Sequence, residues 1–239
     1  MEQIIIYDFD GTLTPYPITK FEVLDKCGLE GGINSPVLLK DIYEKIDNGM
    51  EQYEAIYTSF LDVIRKSDLE LNDDNMSLGA EKMEYNSGVL EFLEWTKKKK
   101  IKNYLISSGV KVLLERTLVS QYFDDIYATT FKYNSNSRIV GIDYLMSDKK
   151  KVEIIKMILE ANGRNGDDCS NVVYVGDGLT DLYAMEYVKS HGGRTVFVYL
   201  DEKSELLEEA KKKDVVSLFA YADYSNGTEL NNFFRKLCE

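Results

Sequence analysis

The sequence predicts an α/β fold, in which a Rossmann-like, mostly parallel sheet carries helices on both faces and a helical cap is inserted after the first strand. Short apolar runs alternate with helical patterns along most of the chain, and one long segment after the first run lacks any strand pattern. Alternation of this kind is typical of βαβ units, whose sheets are covered on both faces.

The predicted strands are short apolar runs, and the predicted helices between them have apolar residues at helical spacing. The strands are Ile4–Tyr7, Asn103–Ile106, Ile126–Thr129, Val172–Val175 and Thr195–Tyr199. Two core helices cover Val89–Lys98 and Val152–Ala161. The segments Thr130–Tyr133 and Arg138–Gly141 are candidates for a hairpin. Ligands of such sheets bind at the carboxyl ends of the strands.

A helical segment interrupts this alternation between Pro15 and Glu84. One amphipathic helix is predicted around Tyr53–Ile64, and another over Val37–Ile46, ended by Asn48-Gly49. A connection of about 70 residues inside a compact domain usually has a function. We therefore predict a core domain of residues 1–14 and 86–239 and a helical cap domain of residues 15–85.

The composition is that of an acidic globular protein. The 239 residues include 29 basic and 41 acidic side chains, which gives a net charge of −12, and 44% of the residues are hydrophobic. Nucleic acids and anionic membranes are bound by basic surfaces, so we expect neither as a partner. A small anionic substrate is compatible with this charge, because a few lysines and backbone N–H groups suffice to bind phosphate.

The cysteines and the hydropathy pattern predict a cytoplasmic protein. Cys27, Cys169 and Cys238 are widely spaced, as expected of free thiols in a reducing compartment. No basic segment leads into an apolar run near Met1, so we expect no secretory signal. No apolar run approaches the roughly 18 residues of a membrane span. We expect a monomer or a homodimer.

Two acidic residues, Asp8 and Asp10, follow the first predicted strand directly, in the segment Asp8-Phe9-Asp10-Gly11-Thr12. Side chains two residues apart in an extended chain point to the same side, so both carboxylates can converge at the strand end. Two adjacent carboxylates stay ionised only if a cation or hydrogen-bond donors offset their repulsion. Mg²⁺ is the cation that such oxygens favour, whereas an ordinary Asp-Gly turn is the alternative interpretation.

Three further segments carry polar residues at predicted strand or helix ends. Ser107-Ser108-Gly109 follows a strand, and its hydroxyl and backbone N–H groups could bind an anion. Three lysines, Lys149 to Lys151, precede a helix, where the positive end of the helix dipole disfavours cations unless an anion lies nearby. Gly176-Asp177-Gly178 ends another strand, and Asp181 falls in the first turn of the next helix.

In this order, the four motifs resemble those of the haloacid dehalogenase superfamily of phosphohydrolases. The resemblance covers the whole chain and includes a helical cap between the first and second motifs. Within the superfamily, the segments Leu105–Gly109 and Gly176–Asp181 are most similar to those of the phosphoserine-phosphatase-like branch.

The resemblance implies a role for each motif residue. Asp8 would be the nucleophile that forms an aspartyl-phosphate, and Asp10 would be the general acid and base. Mg²⁺ would be held at Asp8, Asp10 (through its backbone carbonyl), Asp177 and Asp181, with Asp181 supporting the metal site. The phosphate-binding candidates are Thr12, Ser107, Ser108, Gly109, Lys151 and Lys150. Of the two lysines, Lys151 has the family spacing to Ile154 and Ile155, and Lys150 is the runner-up.

These roles imply a magnesium-dependent phosphatase that acts on a small phosphorylated metabolite. Two alternatives stay open: a phosphomutase or phosphotransferase that uses the same intermediate, and a regulatory protein that binds phosphate without turnover.

The segments that would choose the substrate depart from the phosphoserine phosphatases. Those enzymes have an acid soon after the first motif and an Arg on a cap helix, whereas Thr14–Lys20 contains no acid and Arg65 lies about one turn too late. Phosphoserine is therefore expected to be a poor substrate. Four aromatic residues could form an apolar or stacking pocket, although helix-core packing is the simpler interpretation for the last two: Tyr16, Phe21, Tyr53 and Tyr57.

Overall fold

The structure is a computed structural model that describes residues 2–15, 26–29, 34–202 and 204–237. Within these residues, seven strands form one sheet in the order β4-β3-β2-β1-β5-β6-β7. All neighbouring pairs are parallel except β3 and β4. This confirms the predicted fold class. The strands are β1 (Ile4–Tyr7), β2 (Lys102–Val110), β3 (Asp125–Tyr133), β4 (Ile139–Tyr144), β5 (Val172–Gly176), β6 (Arg194–Tyr199) and β7 (Leu218–Tyr221).

The described residues form nine α-helices, which flank the sheet or belong to the segment between β1 and β2. They are α1 (Pro36–Asp47), α2 (Gln52–Lys66), α3 (Asp73–Met76), α4 (Val89–Lys98), α5 (Lys111–Leu114), α6 (Asp148–Ala161), α7 (Leu179–Ser190), α8 (Glu205–Lys211) and α9 (Glu229–Leu237). In the part of the chain that the structure describes, no helix has the length and apolar character that crossing a membrane requires.

Both faces of the sheet are buried, as the near-continuous apolar character of β1 requires. Ile5 and Tyr7 face one apolar cluster together with buried residues of α4, α5 and α9. Ile4 and Ile6 face a second cluster with buried residues of α6, α7 and α8. Alternate side chains of one strand therefore contribute to two separate cores, which fixes the position of the strand end that follows.

The helical segment between the first two strands packs onto the first of these clusters. Leu38 and Ile42 of α1 and Phe60 and Ile64 of α2 are buried in it. Their spacing is the amphipathic pattern that the sequence predicts for both helices. Whether residues 15–85 form a separate domain stays a prediction, and residues 16–25 and 30–33 lie outside the described part of the chain.

The predicted hairpin is present, and it contacts the end of the helical segment. Phe131 pairs with Ile142 and Lys132 with Gly141 across β3 and β4. The Ile139 N–H donates to the Leu71 carbonyl at 2.7 Å, and the Arg65 guanidinium donates to the Val140 carbonyl at 2.8 Å. The hairpin thus links the helical segment to the edge of the sheet.

The structure differs from the prediction at β2, at α6 and at β7. The β2 strand continues through Ser107–Gly109 to Val110, because Val110 pairs with Thr129 of β3 after an irregularity in the register. The α6 helix begins at Asp148 rather than Val152, so the lysine run lies inside its first turn. The β7 strand was not predicted, since it is a four-residue edge strand with partly exposed side chains.

The chain's one tryptophan, Trp95, lies on α4 and is partly exposed. Its ring packs against Phe92 with a centroid separation of 5.7 Å. The Arg235 guanidinium of α9 lies 4.8 Å from the ring centroid, which is a cation–π distance. Trp95 therefore joins α4 to the C-terminal helix.

Candidate active site

The parallel register brings the polar strand ends to one edge of the sheet. Tyr7 of β1 pairs with Leu105 of β2 on one side and with Val175 of β5 on the other. Asp8, Ser107 and Asp177 follow these paired positions by one or two residues. The motifs from three separate parts of the sequence therefore meet at the carboxyl edge, where ligands of this fold class bind.

The deepest part of this edge is a buried ion-pair network, here called the floor, formed by Asp8, Lys151, Tyr174 and Asp181. The Lys151 ammonium donates to Asp8 Oδ1 at 3.1 Å and to Asp181 Oδ1 at 2.7 Å. Lys151 is only 1% exposed and Asp181 is fully buried. A buried lysine requires such partners, because an unpaired charge in the protein interior is strongly destabilising.

The Asp181 carboxylate accepts four hydrogen bonds. Oδ1 receives the Tyr174 hydroxyl at 2.7 Å in addition to Lys151, and Oδ2 receives the backbone N–H groups of Asp177 and Gly178 at 3.2 and 3.0 Å. A β-carbon on Gly176 would lie 2.4 Å from the Asp181 carboxyl carbon, so only glycine fits there. Asp181 thus fixes the β5–α7 turn and the Lys151 ammonium together.

Asp177 is positioned by the first motif. The Thr12 hydroxyl donates to Asp177 Oδ1 at 2.9 Å. Gly11 has a φ of +75°, and a β-carbon on it would lie 2.0 Å from Asp177 Oδ2. The turn after β1 therefore needs glycine for both its backbone conformation and its close approach to Asp177. Thr12, a predicted phosphate-binding residue, orients a carboxylate here.

Burial and mutual repulsion raise the pKa values of two carboxyl groups of the site. Burial raises the pKa of Asp8 well above its ordinary value, Lys151 opposes that rise, and the neighbouring acids reinforce it. Burial and the charge of Asp181 raise the pKa of Asp177 to about 7. Burial alone would lower the pKa of Lys151, but Asp181 and Asp8 raise it well above its usual value. The site therefore keeps the Lys151 ammonium charged, and its acids favour the binding of a further cation.

The end of β2 offers hydrogen-bond donors beside these acids. Ser107 is 1% exposed, and its Oγ accepts the Gly109 N–H at 3.0 Å. Among the described residues, the Ser107 O–H has no acceptor, so it can donate to a bound anion. The Gly109 N–H, another predicted anion donor, is directed to Ser107 in this structure.

The structure distinguishes between the two candidate lysines. Lys150 donates to the Leu145 carbonyl at 2.7 Å, and its ammonium lies 4.4 Å from the centroid of the Tyr144 ring. Lys151 alone of the two pairs with Asp8 and Asp181. The two lysines project from different sides of α6, because successive residues of a helix are about 100° apart. The phosphate-binding role considered for Lys150 is therefore not supported by its position.

Asp10 lies close to the other acids of the site and to Tyr57 of α2. Its charge raises the pKa of Asp8, of Asp177 and of Tyr57, which places its carboxylate near all three. Tyr57 is buried, and its hydroxyl donates to the Ser108 carbonyl. Two of the aromatic residues proposed for a pocket, Tyr16 and Phe21, lie outside the described residues.

A family model described as haloacid dehalogenase-like hydrolase matches residues 5–186, which contain all four motifs. The chain belongs to this family. The hydrolase is also 25% identical to an uncharacterized protein of Borreliella burgdorferi strain B31, over 98% of this chain and 96% of that protein.

Solved structures share the fold of this hydrolase. A substrate-bound phosphoserine phosphatase matches it with a TM-score of 0.65 and 15% identity, over 99% of this chain and 98% of that one. A haloacid dehalogenase family hydrolase from Salmonella enterica serovar Typhi matches with a TM-score of 0.63 and 18% identity, over 86% of this chain. The hydrolase spans 64% of the length of the Salmonella protein.

The acids of the hydrolase fit a hard divalent cation. One oxygen from each of Asp8, Asp177 and Asp181 lies within 4.8 Å of the other two. Because both Asp181 oxygens already accept hydrogen bonds, Asp8 and Asp177 are the side chains with coordination capacity left. The Asp10 side chain is not in this cluster of described residues, and the role expected of its backbone carbonyl stays a prediction. Oxygen ligands of this kind suit Mg²⁺.

Sequence reasoning missed several residues that hold the site of the hydrolase. Tyr174 completes the floor, and its signal was a hydroxyl in an otherwise apolar strand. The Thr12 carbonyl accepts the Asn86 side-chain amide at 2.9 Å and the Tyr224 hydroxyl at 3.2 Å. These two residues come from distant segments without a motif, so the sequence carried no signal for them. Together they hold the turn that carries Asp10, Gly11 and Thr12.

Proposed function

We propose that this hydrolase is a magnesium-dependent phosphatase that acts on a small phosphorylated metabolite through an aspartyl-phosphate on Asp8. The observation that carries the proposal is the Lys151 ammonium, which contacts Asp8 Oδ1 at 3.1 Å while Asp181 holds it from the other side. A carboxylate beside a fixed cation, at an edge lined with N–H and O–H donors, suits attack on a phosphoryl group.

The chain supplies the groups that hold a phosphoryl group next to Asp8. A lysine ammonium has three N–H donors, and Lys151 uses two of them on Asp8 and Asp181. The third donor and the Ser107 hydroxyl would bind phosphoryl oxygens. Positioning and charge compensation of this kind contribute most of the catalysis in phosphoryl transfer.

Two displacements make up the reaction. In the first, an Asp8 oxygen forms a bond to phosphorus while the bond from phosphorus to the leaving oxygen breaks, and Asp10 gives its proton to that oxygen. In the second, Asp10 takes a proton from water, the water oxygen bonds to phosphorus, and the bond to Asp8 breaks. Phosphate and the free alcohol are the products. Acid–base assistance by Asp10 is worth about 10²–10⁴-fold.

Asp8 and Asp177, with the Asp10 carbonyl, would hold Mg²⁺. When bound, the ion offsets the negative charge shared by the carboxylate and the phosphate, which otherwise opposes attack. The raised pKa of Asp177 is consistent with this role, because a group that disfavours its own charge near other acids is stabilised by a cation.

The test is a hydrolysis screen of phosphorylated metabolites and p-nitrophenyl phosphate, with Mg²⁺ and with EDTA. We expect Mg²⁺-dependent release of phosphate, and a loss of about 10⁴-fold or more in Asp8→Asn, which removes the nucleophile. The matched control is Asp143→Asn, at an exposed position of β4, which should retain activity.

The other outcomes separate the alternatives. Transfer of phosphate to a second hydroxyl of the substrate, rather than to water, would make the protein a phosphomutase. No turnover of any ester by the parent protein would favour a regulatory phosphate-binding protein. Either outcome would contradict the proposed phosphatase.

A further inference from the structure

Three polar side chains near the floor, Ser108, Tyr53 and Asp148, form a second cluster, here called the rim. They come from the end of β2, from α2 and from the first residue of α6. The Tyr53 hydroxyl donates to Asp148 Oδ1 at 3.1 Å. The Ser108 hydroxyl lies close enough to Tyr53 to lower its pKa. The rim therefore joins the end of β2 to the start of α6 through Tyr53 of α2.

Asp148 lies near the floor. It precedes Lys151 by three residues on α6, and residues three apart share one face of a helix. The charges of Lys151 and Asp181 both act on the Asp148 carboxyl, which places it near the floor. Lys151 is almost fully buried, whereas Asp148 is partly exposed. A phosphate held at Lys151 would thus leave the rest of the substrate within reach of Asp148.

The rim presents acceptors rather than cations. The Tyr53 hydroxyl donates to Oδ1 of Asp148, and among the described residues no group donates to the second oxygen. Burial, together with the charge of Asp148, raises the pKa of Tyr53 to about 12, so its hydroxyl stays protonated and keeps donating to Asp148. Two lysines of α6 are engaged elsewhere: Lys151 with Asp8 and Asp181, and Lys150 with the Leu145 carbonyl.

Arg65 does not supply the missing cation either. It pairs with Asp62 at 3.1 Å and donates to the Val140 carbonyl of the hairpin at 2.8 Å. A carboxylate on the substrate would therefore meet the Asp148 charge without a compensating partner from these basic residues. A hydroxyl or ammonium group would instead find a partly desolvated acceptor, where a hydrogen bond to a charged group is stronger than one between neutral groups.

We propose that Asp148, oriented by Tyr53, selects phosphate esters whose leaving group carries a hydrogen-bond donor, a hydroxyl or an ammonium, and discriminates against those that carry a carboxylate. This inference rests on the proposed phosphatase function and adds the class of its substrate. Asp148 contacts the leaving group and takes no part in bond breaking.

The experiment compares kcat/KM for four esters in the parent protein, Asp148→Asn and Asp148→Ala. The esters are sn-glycerol 3-phosphate, ethanolamine phosphate, 3-phosphoglycerate and p-nitrophenyl phosphate. For the parent protein, we expect at least one of the first two to exceed 3-phosphoglycerate by tenfold or more. Asp148→Ala should reduce that ratio by about tenfold, which corresponds to about 1.4 kcal/mol.

The two Asp148 variants distinguish recognition of an ammonium from recognition of a hydroxyl. Asn retains an acceptor but lacks the charge, so Asp148→Asn should reduce the ethanolamine ratio about tenfold if an ammonium is recognised. If a hydroxyl is recognised, the glycerol ratio should fall by less than threefold in Asp148→Asn and by about tenfold in Asp148→Ala. Asp143→Asn is the control and should leave every ratio unchanged.

The failures are also distinct. If both Asp148 variants fold, as checked by circular dichroism, and keep the parent ratios, the specificity role is wrong. It is equally wrong if 3-phosphoglycerate is the best of the four esters. If the parent protein does not hydrolyse even p-nitrophenyl phosphate, the proposed phosphatase function fails and the inference fails with it.

Discussion

In the floor of the site, Lys151 is 1% exposed and Asp181 is fully buried, and the Asp181 oxygens accept four hydrogen bonds from protein donors. In the rim, Asp148 and Tyr53 are partly exposed, and one Asp148 oxygen has no donor among the described residues. The two regions differ in how much of their bonding capacity the protein itself uses. A floor in which protein partners fix Lys151 and Asp181 suits a fixed chemical step, whereas a rim with an unused acceptor can recognise a substrate.

The comparison predicts that the floor is far more sensitive to substitution than neighbouring positions. Lys151→Met should destabilise the protein by about 3–5 kcal/mol, because it leaves the Asp8 and Asp181 carboxylates close together and unpaired in the interior. Chemical denaturation, followed by circular dichroism, measures the difference in the free energy of unfolding.

Lys150→Met is the matched control for this prediction. Its ammonium is partly exposed and contacts a carbonyl and the face of Tyr144, so the loss should stay below about 1 kcal/mol. Equal losses in the two variants would mean that the buried network of the floor has no special weight.

A second prediction concerns the effect of pH on Asp177, which borders the floor. Its pKa is about 7 in the folded protein, against an ordinary value of 3.8. Between these two values, the folded state keeps a proton that the unfolded state has lost. The contribution of protonated Asp177 to stability is therefore complete below pH 3.8 and is lost as the pH rises through 7. Between about pH 5 and 6, this one group should lower the free energy of unfolding by about 1.4 kcal/mol per pH unit.

The comparison with Asp177→Asn isolates that effect, because Asn cannot titrate. The free energy of unfolding of the parent protein, relative to the variant, should decrease from pH 5 to pH 7 in the presence of EDTA. Mg²⁺ should restore stability to the parent above pH 7 and restore less to the variant. A difference that does not change with pH would show that Asp177 titrates normally.

The smallest effect is expected where α2 meets β2. Tyr57→Phe removes a buried hydroxyl that donates to the Ser108 carbonyl, but that carbonyl also accepts the Thr129 hydroxyl at 3.1 Å. The acceptor stays paired, so we expect a loss of only about 0.5–1.5 kcal/mol. Thermal unfolding of Tyr57→Phe can be compared with that of Tyr43→Phe, whose side chain is 61% exposed and should be neutral. A loss as large as that of Lys151→Met would contradict the expectation that the floor is far more sensitive to substitution than neighbouring positions.

The motif positions of the site were predictable from the sequence. Asp8 directly follows the apolar run of β1, and Asp177, which borders the floor, follows the apolar run of β5 after one glycine. A parallel sheet brings such strand ends to one edge. The spacing of Asp181 in the first turn of α7 also indicated the same edge. The sequence could not reveal that its oxygens are saturated, since that depends on Tyr174 and on two backbone N–H groups in a turn.

The rim was not predictable in the same way. Tyr53 and Asp148 are 95 residues apart, and neither belongs to a motif. The periodicity of α2 indicated only that Tyr53 and Tyr57 share a helix face. It did not indicate that their hydroxyls donate to a carboxylate of α6 and to a carbonyl of β2. The docking of a helix over a sheet edge is decided by tertiary packing, which a local pattern does not encode.

The position of Trp95 makes it a built-in optical reporter. Its ring contacts Phe92 and the Arg235 guanidinium, so its emission depends on whether α9 is docked against α4. A fluorescence transition that precedes the loss of helical ellipticity would mark the C-terminal helix as the first element to detach. A change of this emission on addition of a ligand would likewise show that binding at the motif edge of the sheet alters the packing between α4 and α9.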